Sequence, residues 1–278
     1  GIIKNITGFA PKRSLPLLYS TTLRAWAGKQ LHDNNLKKSV YLFADEFTNF
    51  NDVEIGIKAI RLLNHFGYKV IIPDHEESGR TWISKGLIRE ARKLAIANVT
   101  KLSPMISAET PLLGLEPSAI LSFRDEYPDL VGDQLKEKAV NLAQHALLFD
   151  EFIVKIVTEE DRKKFTSEPL HIRLHGHCHQ KALASVAPTV RMLSIPVNYK
   201  VEEIKSGCCG MAGAFGYEKE HFDVSMKVGE LVLFPAVRNS DSSTVIAAPG
   251  TSCRHQIMDG TGRKALHPVE VLYDALNK

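Results

Sequence analysis

The sequence predicts an α/β protein: two tandem, duplicated units with parallel sheets flanked by crossover helices, preceded by an N-terminal arm. Three observations predict it. Short apolar runs of strand length alternate with amphipathic stretches of helix length. The order of runs in residues 39–150 recurs in residues 151–278. Residues 1–38 lack that alternation; they mix Pro11, Pro16 and basic side chains around one short helical stretch, TTLRAWAGKQL, and read as an arm or linker. Parallel neighbours must be joined by a crossover, which is what a helix between two apolar runs supplies.

In the first unit SVYLFA (39–44) is the opening strand, followed by a helical pattern from Asp52 to Phe66 and a β-rich run, YKVIIP (68–73). A longer helical pattern, ISKGLIREARKLAIANVTKL (83–102), leads to PLLGLE (111–116) and to further helices before about residue 150. The second unit opens on LHIRLHG (170–176) and continues with the helical QKALASVAPTVRMLS, interrupted at Pro188. PVNYKV (196–201) is its second strand. EKEHFDVSMKVGELVLFPAVRN follows as a long helix broken near Pro235, then STVIAAPG (243–250), and helices close the copy. Matching strand to strand sets Cys178 opposite Ala44, the SGCCG turn opposite ESG (77–79), and Cys253 opposite Ala119.

Composition narrows the function classes. The 278 residues can build a full core, and 44% hydrophobic with 24% charged residues is the balance of a globular protein. A net charge of +3 gives no basis for a nucleic-acid partner or an anionic membrane surface. No apolar run approaches the roughly 18 residues of a membrane span, and GIIKNITGF lacks the pattern of a signal peptide. The expected compartment is the cytoplasm, a peripheral position at the inner face of the membrane included. A start at Gly1 rather than Met is expected of a piece of a longer chain or a processed one.

The chemistry lies in four cysteines, all in the second unit: Cys178, the adjacent pair Cys208 and Cys209, and Cys253. Each follows a predicted strand, where parallel sheets assemble sites from loops at their carboxyl ends. Thiolates gathered from three distant segments are what a tetrahedral metal or an iron–sulfur cluster requires. Neighbouring thiols point apart on a regular strand or helix, and Gly207 and Gly210 permit the backbone angles that would turn both toward one ion. Two buried cysteines acting as small hydrophobes, or a vicinal disulfide, are the bland alternatives. The aligned positions of the first unit, Ala44, Glu77, Ser78 and Ala119, carry no thiol.

His175, His177 and His179 alternate with Gly176 and Cys178, and His255 lies two residues after Cys253. His177, His179 and His255 are accessory ligand candidates, with hydrogen bonding around a metal as the competing role. On a strand His177 and His179 would face away from Cys178, so joint ligation needs the strand to have ended. Gly210, Gly213 and Gly216 have the wrong period for a dinucleotide loop and read as turn geometry around the cysteines. DGTGRKALHP (259–268), with Arg263, Lys264 and His267, is a loop facing the site, a partner domain or solvent; DEF (45–47) and RDEY (124–127) read as surface or capping residues.

HGHCHQKAL, SGCCGMAGAFGYEKEH and GTSCRHQIMDGTGRKALHPVEVL together resemble the CCG-type cysteine-rich domain of iron–sulfur subunits of FAD-linked oxidoreductases. The likeness is to the C-terminal part of such proteins of the D-2-hydroxyacid, glycolate and glycerol-3-phosphate dehydrogenase type. EFTNFNDVEIGIKAI, ESGRTWISKGL and GLEPSAILSFRDEYPDL resemble a degenerate first repeat, so the resemblance covers nearly the whole chain. It implies a lone cysteine (Cys178), a CCG (Cys208, Cys209, Gly210) and a closing C-x-x-C that is incomplete here, because Gly250 stands where its first cysteine would be. Four thiols therefore remain for a [4Fe–4S] cluster or for zinc. The resemblance further implies an upstream FAD domain and ferredoxin-like domains as partners, electron transfer as the role, and no independent activity for this portion. Without redox chemistry, the same cysteines would make a zinc-stabilised docking module. A thiol hydrolase built on Cys178 lacks a suitably placed base and orienting group.

Overall fold

The computed structural model describes residue 4, residues 7–30 and residues 36–277. The rest of the arm, including the end of TTLRAWAGKQL at Leu31 and most of GIIKNITGF, lies outside the described residues. The chain divides into two compact units, Leu18–Lys164 and Gly1–Leu17 with Phe165–Lys278. The part of the arm up to Leu17 thus belongs to the same unit as the cysteines.

Each unit is built on a four-stranded, wholly parallel sheet. In the first, β1 (Lys38–Phe43), β2 (Tyr68–Ile71), β3 (Leu112–Gly114) and β4 (Ala146–Leu148) are ordered β2-β1-β3-β4. In the second, β5 (Leu170–Leu174), β6 (Tyr199–Glu203), β7 (Val245–Ala247) and β8 (Ala265–Leu266) repeat that order as β6-β5-β7-β8. Val40 pairs with Val70 and Leu42 with Leu113; in the other sheet Ile172 pairs with both Val201 and Val245. A parallel sheet needs helices on both faces, so its central strands are apolar on both sides. Val40, Leu42, Phe43, Ile172 and Leu174 are accordingly all fully buried.

The duplicated α/β architecture expected from the sequence is present, with two local differences. The fourth strands fall in stretches that the sequence marks as helical; at three and two residues they are too short for any period to show. The expected long helices are also subdivided. The 83–102 stretch breaks at Gly86 (φ 72°) into Arg80–Ser84 and Ile88–Leu102. The stretch around Pro188 becomes Cys178–Leu183 and Ala187–Leu193, with the proline in the first turn of the latter, where its missing N–H costs no hydrogen bond. The next one breaks at Val232, between Phe222–Leu231 and Leu233–Arg238, three residues before Pro235. Among the described residues no helix is long and apolar enough to cross a membrane.

The strand order places the site. In each sheet the chain steps outward from the first strand to the second, then returns to the other side of the first for the third. That reversal opens a crevice at the carboxyl ends of the first and third strands. In the second unit it lies between β5 and β7.

Candidate metal centre

All four cysteines lead into that crevice from strand ends. Strand β5 has ended at Leu174, so Cys178 is not on a strand but is the first residue of the helix Cys178–Leu183. His177 caps this helix through its own ring, Nδ1 accepting the His179 N–H at 3.2 Å. His177, Cys178 and His179 each offer a ligand atom within 4.8 Å of the others, so the condition that the strand should have ended is met. Cys208 and Cys209 follow β6 in a turn with three left-handed residues, Gly210 (φ 99°), Ala212 (φ 43°) and Gly213 (φ 65°). A Cβ on Gly210 would sit 2.2 Å from the Ser225 carbonyl oxygen, so both its angle and its lack of a side chain are required. The glycine spacing is thus turn geometry, and it lets the Gly210 N–H donate to Cys208 Sγ at 3.2 Å. Cys253 lies in the first turn of the helix Thr251–Thr261 that follows β7.

The sulfurs form a continuous series. Cys178 hydrogen-bonds Cys208, Cys208 hydrogen-bonds Cys209, and Cys209 Sγ is 3.5 Å from Cys253 Sγ; all four are free thiols. Cys209 and Cys253 are buried, whereas Cys178 and Cys208 are partly exposed, so the series runs from core to surface. Hydrogen bonding with Cys178 and Cys209 holds the Cys208 thiol far below its ordinary range, and hydrogen bonding with Cys209 lowers Cys253. Donation to Cys208 pushes both Cys178 and Cys209 upward, and burial adds to each. The series thus shares its protons through sulfur–sulfur hydrogen bonds, and binding a metal requires the sulfurs as thiolates.

The structure brings to the inner pair a histidine outside the expected accessory set. His175, wholly buried, offers a ring nitrogen within 4.8 Å of the sulfurs of Cys209 and Cys253. Its Nδ1 is 2.7 Å from Ser206 Oγ, and its Nε2 is buried without a hydrogen-bond partner. His177 borders the position of Gly250: a Cβ there would meet the His177 ring at 2.4 Å and Cys253 Sγ at 3.3 Å. His255 Nδ1 is 3.2 Å from the Tyr217 hydroxyl. Arg263 is committed to the carbonyls of Ser240, Asp241 and Thr244, and His267 caps the helix Pro268–Asp274, so the DGTGRKALHP loop serves the fold.

Sequence reasoning missed the support behind the CCG turn. Gln256 Nε2 donates to the Cys209 carbonyl at 2.8 Å and to the Ser225 carbonyl at 3.0 Å. Arg13, from the arm and fully buried, donates to Gln256 Oε1 (2.6 Å), Asp259 (3.0 Å), Ser225 Oγ (3.1 Å) and the Gly216 carbonyl (2.9 Å). Gln256 was findable, being one helical turn after Cys253. Arg13 was not, because nothing local marks a partner 243 residues away.

The corresponding crevice of the first unit holds no thiol. Its strand β1 is followed by the helix Glu46–Phe50, capped by Asp45. The first helical residue, and so the counterpart of Cys178, is Glu46 rather than Ala44: the two helix caps, Asp45 and His177, match each other, and strand patterns do not mark where the following helix is capped. Ser78, the counterpart of Cys209, bonds Glu46 through both Oγ (2.6 Å) and its backbone N–H (3.0 Å). Tyr127 donates to the Ser78 carbonyl and accepts from Asn98, both at 2.9 Å. Asp45 is fully buried rather than at the surface, accepting from the Phe47 and Thr48 N–H groups and the Thr48 hydroxyl. Burial raises the Asp45 carboxyl well above its ordinary range, and raises that of Glu46 too.

The residues of the second unit fit a bound metal or cluster on two counts. Four sulfurs converge, and the buried imidazole of His175 faces the inner pair with a nitrogen that has no partner apart from those sulfurs. No protein-family model matches the chain. It is 27% identical over 268 residues to a subunit of the anaerobic glycerol-3-phosphate dehydrogenase of Escherichia coli (strain K12), covering 95% of this chain and 66% of that protein. It is 25% identical over 250 residues to the D-2-hydroxyglutarate dehydrogenase of the same strain, covering 89% of this chain and 24% of the relative. The D-2-hydroxyglutarate dehydrogenase of Haemophilus influenzae is 26% identical over 281 residues, 94% of this chain and 27% of that protein. The chain thus spans just under two thirds of the first relative and about a quarter of the others.

Proposed function

We propose that this chain is the electron-transfer portion of a larger FAD-linked dehydrogenase, holding an iron–sulfur cluster through Cys178, Cys208, Cys209 and Cys253. The observation that carries the reading is the series of four sulfurs running from two buried thiols to two partly exposed ones, at the switch point of a parallel sheet. When bound, such a cluster supplies one-electron redox chemistry without a proton-transferring acid or base. The chain's own residues do the rest. Gln256 and Arg13 fix the carbonyl side of the CCG turn, the Gly210 N–H stabilises negative charge on Cys208 Sγ, and the buried inner pair is shielded from water. The relatives support a dehydrogenase context, with electrons coming from flavin-dependent oxidation of a 2-hydroxy acid or glycerol 3-phosphate in a partner region. On this reading the first unit, residues 39–150 in the sequence-based division, is a copy of the fold whose crevice has been closed by Glu46 and Ser78.

Zinc held by the same cysteines, in a structural or docking module, is the second reading; the buried imidazole of His175 favours it, since sulfur and nitrogen donors together suit zinc. The two separate on purification without oxygen. The cluster reading expects brown protein with broad visible absorption that dithionite bleaches, and iron and sulfide in near-equal amounts. Colourless protein that keeps one equivalent of zinc after anaerobic treatment with iron and sulfide would replace it with the zinc reading.

A further inference from the structure

His175 has an arrangement that its neighbours lack. It follows β5 directly, and its backbone N–H donates to the Ala247 carbonyl at 2.8 Å, which pins it between β5 and β7 at the crevice. The ring is wholly buried, and its Nδ1 lies 2.7 Å from Ser206 Oγ. The Ser206 hydroxyl is itself directed at the Ile204 carbonyl, 3.4 Å away, so its lone pair faces the ring and the proton belongs on Nδ1. Nε2 is then buried with no partner apart from the inner sulfurs, and His175 acts on the Cys253 thiol, lowering it.

What lies in front of it is the inner sulfur pair. His175, Cys209 and Cys253 present ligand atoms within 4.8 Å of one another, all three residues buried. With Nδ1 committed to Ser206, Nε2 is the nitrogen free to face the sulfurs. An imidazole held by a hydrogen bond at its far nitrogen, with the near one turned toward thiolates, is how a metal-bound histidine is oriented. We propose that His175 Nε2 is a direct ligand of the group that the cysteines hold, with Ser206 as its positioning residue. The donor set then becomes mixed: His175, Cys209 and Cys253 on the buried side with one of the outer pair, Cys208 or Cys178, completing the four ligands that a [4Fe–4S] cluster or tetrahedral zinc takes, and the other outer thiol left unligated. This rests on the reading above that the cysteines bind a metal or cluster, and it holds for iron and zinc alike.

The test uses the whole chain, with its histidines labelled with ¹⁵N, reconstituted anaerobically with iron and sulfide and reduced with dithionite. Pulsed electron paramagnetic resonance is expected to show a strongly coupled nitrogen that changes with the label. It should vanish in His175→Ala and persist in His177→Ala and His255→Ala. If the protein takes zinc instead, cobalt(II) replaces it, and the visible bands are expected to move toward those of an all-sulfur site in His175→Ala. Ser206→Ala, which leaves the ring in place, should weaken metal binding roughly 10–100-fold. A reduced cluster with weakly coupled nitrogen alone, or cobalt bands unchanged by His175→Ala, overturns the inference and leaves the four-cysteine reading standing. Protein that takes up neither iron, zinc nor cobalt overturns both. Should His175→Ala fail to fold, the labelled wild-type spectrum decides by itself.

Discussion

The two units present the same place in the same fold with opposite chemistry. At the first crevice Glu46, Ser78, Asn98 and Tyr127 satisfy one another, and Asp45 spends its carboxylate on the turn beside it. At the second, sulfurs bond mainly to sulfurs, and a buried nitrogen is left over. A network whose donors and acceptors all pair is a way to fill a crevice; a set of electron-rich atoms with unused lone pairs is a way to hold a cation. The difference lies in a handful of side chains, because sheet order and strand ends are shared. The two crevices thus differ in side chains and not in scaffold, and the comparison can be attacked at matched positions.

The largest contrast is expected between Cys209→Ser and Ser78→Ala. The first removes the thiol that links the outer sulfurs to Cys253, and nearly all bound iron or zinc should be lost. The second removes the hydroxyl half of the Ser78 to Glu46 pairing and should leave metal content unchanged while costing about 1–3 kcal/mol of stability. Metal analysis of the two purified proteins decides; equal metal loss would break the asymmetry.

Next come the matched glycines. Gly210 and Gly79 both have positive φ, at 99° and 75°. A Cβ on Gly79 would make ordinary contacts with Ala91 from 3.6 Å, whereas one on Gly210 would strike the Ser225 carbonyl oxygen at 2.2 Å. Gly79→Ala should therefore cost about 1–2 kcal/mol from backbone strain alone. Gly210→Ala should cost about 2–6 kcal/mol and displace the CCG turn, with metal loss as its second readout. Urea unfolding of both variants gives the comparison, and similar costs would mean that the turn yields more freely than its packing shows.

Gly250 has a counterpart too: it caps its helix where Glu116 caps the matching helix of the first unit. Gly250→Cys would supply a fifth thiol, but the His177 ring stands 2.4 Å from the new Cβ. The single variant should lose about 1–3 kcal/mol through overpacking. Adding His177→Ser, which keeps a capping side chain, should restore most of that and raise the metal or iron content per chain if space was the obstacle. Urea midpoints and metal analysis read both effects; no recovery in the double variant would show that His177 is not what excludes a side chain there.

How much of this was legible in the sequence follows from range. The strands flanking the crevice and the placement of all four cysteines at strand ends could be read, because apolar runs and thiols are local marks. The counterpart of Cys178 reads as Ala44, two residues before Glu46, because strand patterns do not mark where the next helix is capped. His175 was seen as one of three alternating histidines, but its pairing with Ser206 spans 31 residues and depends on two strand ends meeting. Arg13 reads as one more base in a basic arm until the fold buries it.

The smallest expected effect tests whether the first crevice is as closed as its hydrogen bonds make it. His75 Nε2 accepts the Ala44 N–H at 3.1 Å and Nδ1 lies 2.6 Å from the Glu76 carbonyl, so the ring is held neutral with both nitrogens used. Burial, and then Arg24, lower it to about 3, from an ordinary value of 6.5. Because the folded value is the lower one, the unfolded chain takes up the proton first. The stability that His75 contributes is present above pH 6.5 and is lost as pH falls toward 3. Asp45 and Glu46 run the other way, since their raised carboxyls favour the fold at low pH, but they are common to wild type and variant and cancel in the difference. One pH unit below 6.5, wild type should therefore have lost about 1.4 kcal/mol relative to His75→Gln, whose side chain does not titrate. Urea unfolding of the two proteins at pH 7.5 and 5.5 measures it. A difference independent of pH would mean that water or a proton reaches His75 in the folded protein, and that the first crevice is more open than a closed copy of the second should be.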